Sequence, residues 1–88
     1  MTYVNIGEEN EQVEFKKSTG ELKEGVISIA SILNKHDSGD LYFGVKNNGD
    51  VIGQEISDTT TRDVSQAIRA NIKPPIYPTI EKIGRAHV

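Results

Sequence analysis

Apolar and polar positions alternate from Gln12 to Lys16, with Val13 and Phe15 on one side and Glu14 and Lys16 on the other. That period predicts a half-buried strand. Ser18-Thr19-Gly20-Glu21 then has the form of a capping box, in which Ser18 bonds the backbone N–H of Glu21 and the Glu21 side chain reaches back. Leu22, Val26, Ile29, Ala30 and Leu33 follow at helical spacing and predict a helix ending near Asn34, with Ile27 and Ile32 widening its apolar stripe. Gly25 inside that helix costs up to about 1 kcal/mol relative to alanine, which suggests close approach of a strand. Gly39 supplies a left-handed residue after the helix.

Leu41, Phe43 and Val45 alternate with Tyr42 and Gly44, and Asn48-Gly49 is the preferred pair for a type I′ hairpin turn. Val51 and Ile52 begin the return strand, which stops at Gly53. Thr60 with Asp63 predicts a second helix start, and Val64, Ala67, Ile68 and Ile72 give that helix its buried face. Lys73-Pro74-Pro75 ends it, because the Pro74 ring disfavours helical geometry at the residue before it. Ile76 to Ile83 reads as a last extended segment, with Pro78 requiring an edge or an irregular start. The order strand, helix, hairpin, helix, strand predicts an α+β fold, a small mixed sheet with two helices packed on it. The last strand looks unfinished after Gly84, so residues 1–88 are expected to form one domain at the N-terminal end of a longer protein. Its open sheet edge would favour a homodimer. Residues 1–11 are polar and are expected to be mobile.

With 88 residues there is room for one small domain. The chain has no cysteine, which excludes disulfides and thiolate metal sites. No apolar run approaches the roughly 20 residues that cross a bilayer, so no membrane association is expected, and a cytoplasmic location is. The net charge of -3 is not that of a generic nucleic-acid binder, but its distribution is uneven. Six glutamates face three lysines before residue 25, whereas Arg62, Arg69, Lys73, Lys82 and Arg85 face only Asp63 and Glu81 after residue 61.

Four constellations could carry chemistry. Gly39, Gly44, Gly49 and Gly53 lack the spacing of either nucleotide-binding motif and fit turns and close packing better. Glu9 and Glu14, with Glu11 between them, could bind magnesium or manganese given a third carboxylate, for which Asp37 or Asp50 is available. His36-Asp37 lies at a helix end without a nucleophile placed beside it. Lys16, Lys17, Lys35, Lys46, Arg62 and Arg69 could follow a phosphate backbone, and Tyr42 and Tyr77 could stack on bases if exposed.

Taken together the motifs resemble the Schlafen AlbA-like domain, a DNA-binding family once described as a divergent AAA domain. Its pattern is a glutamate followed five residues later by Glu-Phe-Lys, a helix ending in asparagine, a glycine-containing loop, a strand ending Gly-Val, a hairpin, a glycine and a later Ile-x-Pro. The chain shows Glu9, Glu14-Phe15-Lys16, Asn34, Ser38-Gly39, Leu41, Gly44-Val45, Asn48-Gly49, Gly53 and Ile72-Lys73-Pro74. The Asn-Lys-His form of the loop is similar to a bacterial subgroup of transcriptional regulators and helicase-related ATP-binding proteins. Some Schlafen proteins are ribonucleases using two glutamates and an aspartate. The glutamates correspond to Glu9 and Glu14, but Lys46 and Asn47 stand where the aspartate belongs. The resemblance therefore implies a nucleic-acid-binding, DNA-directed domain of a bacterial transcriptional regulator, with Lys16, Lys35, Lys46, Arg62 and Arg69 as phosphate contacts, no catalytic residue and no metal or cofactor. The alternatives are a magnesium- or manganese-dependent nuclease using Glu9 and Glu14, and an ATP-binding module of a helicase-related protein.

Overall fold

The computed structural model describes residues 5–73, 76 and 78–81. Strand β1 (Val13–Lys16) leads through a 3-10 turn at Thr19–Glu21 into helix α1 (Leu22–Lys35), and strand β2 (Asp40–Phe43) returns parallel to β1. The register runs from Val13 opposite Asp40 to Lys16 opposite Phe43. Helix α2 (Asp58–Asn71) follows the hairpin. The expected α+β class is what forms. The parallel pair and the antiparallel pairings of Val45 with Val51 and Asn5 with Asp50 make the pairing mixed.

Alternation along β1 puts Lys16 and Glu14 on one face and Phe15 on the other. A Cβ on Gly25 would meet Leu41 Cδ1 at 3.2 Å and Lys16 Cγ at 3.4 Å, so α1 lies on the face of Leu41 and the Lys16 stem. This is the close approach that Gly25 predicts. Phe15, 1% exposed, lies on the opposite face, where Tyr42 meets it edge-on at 5.9 Å between ring centres. Both faces of β1 therefore carry buried groups, as in parallel strands generally. The main core joins Val26 and Ile29 of α1 to Ile68 and Ile72, at and just after the end of α2, with Leu41 and Leu33 packed against it. Ile32 packs there too, but Ile27 is 53% exposed and does not widen the stripe. α2 packs mainly on α1, whose other side covers the strands.

Local signals in several places resolve differently from the sequence expectation. Ser18 Oγ accepts from Gly20 N–H at 3.1 Å and forms no capping box with Glu21, because a 3-10 turn precedes α1. The capping box sits at α2 instead: Ser57 Oγ accepts from Thr60 N–H and Thr60 Oγ1 from Ser57 N–H, which makes Thr60 the third helical residue and not the start. Gly39 does not have positive φ. Its role is steric, since a Cβ there would lie 2.6 Å from Ile32 Cγ2.

The hairpin turn is also not type I′, which needs positive φ at both central residues. No non-glycine residue has positive φ among the described residues, whereas Gly49 stands at 92°. Gly49 N–H donates to Lys46 O at 2.8 Å and Lys46 N–H to Asp50 O at 2.9 Å. This is a type I turn through Asn47 and Asn48 closed by a left-handed glycine, the usual three-residue alternative. From Asn5 onward the polar N-terminal segment is bonded to this hairpin: Asn5 Nδ2 donates to Asp50 Oδ1 at 2.7 Å and Ile6 N–H to Gly49 O at 3.0 Å. The expected last strand falls largely outside the described residues, as do Pro74, Pro75, Tyr77, Lys82 and Arg85. Ile76 and residues 78–81 have no regular structure.

Candidate nucleic-acid interface

Of the carboxylates singled out from the sequence, Glu9 and Glu14 come together. Glu14 Oε2 lies 3.3 Å from Lys16 Nζ, and both side chains are mostly buried. Glu9, just ahead of β1, has its pKa raised above the ordinary carboxylate value. Burial is the main cause, followed by the charge of Glu14 and a hydrogen bond shared with it. The Phe15 backbone N–H and Lys16 act in the opposite direction. The result is a carboxylate pair with a resident counterion.

Asp50 does not join the pair. Its carboxylate accepts from Asn5 Nδ2 and from Asn48 Nδ2 at 3.1 Å, so it serves the hairpin. Among the described residues, no three His, Asp or Glu side chains converge as metal ligands do. A magnesium-type cation takes six oxygens, several of them from water, and is commonly held by one or two carboxylates. Glu9 and Glu14 supply two carboxylates, with the Lys16 ammonium 3.3 Å from Glu14 as a resident competing cation.

The remaining predicted cations face solvent. Lys35 ends α1, Lys46 opens the hairpin turn, and Arg62 and Arg69 lie on the outer side of α2, all exposed. None has a carboxylate within ion-pair distance among the described residues. They are not one cluster. Lys16 and Lys46 stand at the C-terminal end of the strands, where α1 begins. Lys35 is at the far end of a 14-residue helix, about 21 Å away. Lys17 is exposed beside Lys16.

Gln66, which the sequence does not single out, and Lys73, which it marks only within the basic C-terminal part, lie near the arginines. Gln66 is exposed between Arg62 and Arg69 at helical spacing, and exposed Lys73 follows the extended Ile72. That helical period is the available signal; it is hard to see because glutamine carries no charge and Lys73 lies past the helix end. Tyr42 is held edge-on against Phe15 and half-buried, so its ring is not offered for base stacking. Tyr77 lies outside the described residues. His36 Nε2 is 3.8 Å from Glu11, and no serine or threonine bonds its ring among the described residues. With Asp37 it borders a cavity of about 370 Å³ between the C-terminal ends of the two helices, together with Leu33, Ile72 and Lys73.

The class so defined is a small α+β domain in which Lys16 pairs with Glu14 and further cations are spread over its outer surfaces. The chain belongs to the Schlafen, AlbA_2 family, whose model matches residues 9–87. Nucleic-acid binding is the activity associated with that family. No curated protein and no solved structure matches the chain. Among the described residues, no helix is long and apolar enough to cross a membrane.

Proposed function

We propose that this chain is the DNA-binding module of a cytoplasmic bacterial transcriptional regulator, and that it holds nucleic acid without cleaving it or requiring a metal. The observation that carries the reading is the division of its charges. Lys16 is tied to Glu14, whereas Lys35, Lys46, Arg62 and Arg69 are exposed without carboxylate partners among the described residues. Exposed cations of this kind release counterions from a phosphate backbone. Lys16 then acts within the domain as the ion-pair partner of Glu14. Labelled duplex DNA titrated with the chain at two salt concentrations tests this: binding must tighten as salt falls, and absence of binding at low salt would end the reading.

A second reading, nuclease activity with manganese or magnesium, is favoured by the meeting of Glu9 and Glu14. Incubation with labelled RNA and manganese, beside Glu14→Gln, separates the two. Cleavage abolished by the substitution supports the nuclease, and equal background from both proteins supports binding alone.

A further inference from the structure

α2 packs mainly on α1, so its far side is an outer surface of the domain. Along that side Arg62, Gln66 and Arg69 recur at i, i+4 and i+7, a row about 10 Å long, and Lys73 follows past the extended Ile72 that ends the helix. All four are exposed, while buried Ile68 and Ile72 and half-buried Val64 take the opposite side. Lys73 Nζ donates to the Arg69 carbonyl at 3.3 Å, which folds its ammonium back along the last turn. Asp58, in the first turn, stands four residues before Arg62 on the same stripe, and Asp63 lies about 100° around the helix from Arg62. From Arg62 onward the row offers two arginines and one amide, with Lys73 beyond its C-terminal end and Asp58 at its N-terminal end.

We infer that α2 is the reading element of the domain: this row enters the major groove of a DNA duplex, with Gln66 and Arg69 at base edges and Arg62 and Lys73 on flanking phosphates. The inference rests on the DNA-binding reading above. A helix with its side chains is about 10–12 Å across and the B-form major groove about 12 Å wide. Glutamine pairs through two bonds with adenine, and arginine with guanine, in that groove. The deep, narrow major groove of double-stranded RNA does not admit a helix. Single strands are held largely by aromatic stacking, and the row has no aromatic residue.

The test uses the full chain and a duplex selected by it from a random pool, with anisotropy as the readout and circular dichroism to confirm folding of each variant. Arg69→Ala and Gln66→Ala are each expected to weaken the selected duplex roughly tenfold and a scrambled duplex much less. Arg62→Ala combined with Lys73→Ala should weaken both duplexes alike and reduce the salt slope by about 0.9 for each phosphate no longer neutralised. Lys23→Ala, an exposed charge on α1, is the control and should bind like the unaltered chain. If the unaltered chain binds duplex DNA and the α2 variants bind equally well, the inference is overturned while the DNA-binding reading stands. It is also overturned if the α2 variants lose only single-stranded RNA. Failure of the unaltered chain to bind any duplex at low salt removes both.

Discussion

The Glu14 carboxylate and the Lys16 ammonium lie 3.3 Å apart on the α1 side of β1, and the same lysine opposes the raised pKa of Glu9. One cation thus pairs with Glu14 and only partly offsets what raises Glu9. Lys16→Met keeps an apolar stem against Gly25 but leaves both carboxylates without it. Unfolding stability at pH 7 should fall by about 1–3 kcal/mol, as when a largely buried polar group is deprived of its partner. Urea denaturation reads this, and the deficit should shrink below the carboxylate range, where the glutamates are protonated.

Glu9 gives a prediction of opposite sign. Its pKa is raised in the folded state, so the folded chain holds this proton more tightly than the unfolded chain does. The contribution is favourable below the unfolded value and is lost as pH rises through the folded one. Glu9→Gln removes the ionisation while keeping an acceptor for the Phe15 N–H. It should raise the melting temperature at pH 7 and make no difference near pH 3.

The Gly44 carbonyl accepts from both Ile52 N–H and Gly53 N–H, and a Cβ on Gly44 would lie 2.9 Å from the Gly53 carbonyl carbon. Its φ is also 83°. Gly44→Ala meets rigid backbone in an unfavourable conformation and should cost about 2 kcal/mol or more. Gly39→Ala meets only the side chains of Ile32 and Ile29 at close range. It should cost about 1–3 kcal/mol, nearer the lower end, because those side chains can yield. Thermal melts of both variants give the ranking, and a larger loss at Gly39 would contradict it.

Gln54 joins the approach to α2 to the start of α1. Its Oε1 accepts from Thr19 N–H and its Nε2 donates to Thr19 Oγ1, both at 2.7 Å in a part-buried setting. Gln54→Ala leaves both Thr19 groups without these partners and should cost about 1–3 kcal/mol. Hydrogen exchange at Thr19 should accelerate before exchange in the core of α1 does.

The elements with strong periodicity were legible in the sequence. Val26, Ile29 and Leu33 marked α1, and Val64, Ile68 and Ile72 marked α2, because burial on one helix face writes itself into the spacing. The convergence of Glu9 with Glu14 was legible from the family resemblance, though not the counterion role of Lys16, which depends on α1 covering that face of β1. Turn and cap details were less legible. Ser18 and Ser57 are both serines before a helix, and only tertiary context decides which one forms a capping box. Asn48-Gly49 satisfies two hairpin turns, and the pairing of Asn5 and Ile6 with Asp50 and Gly49 accompanies the three-residue form. Tyr42 could be assigned to stacking or to packing from sequence alone, and its contact with Phe15 decides for packing.

The central claim is that exposed cations of this domain grip a phosphate backbone. The most direct measurement is the binding constant for a labelled DNA duplex between about 0.05 and 0.2 M salt, plotted as log K against log salt. With three to five phosphates neutralised the slope should be about −3 to −4.5. A flat line, or no measurable binding at the lowest salt, would contradict the account.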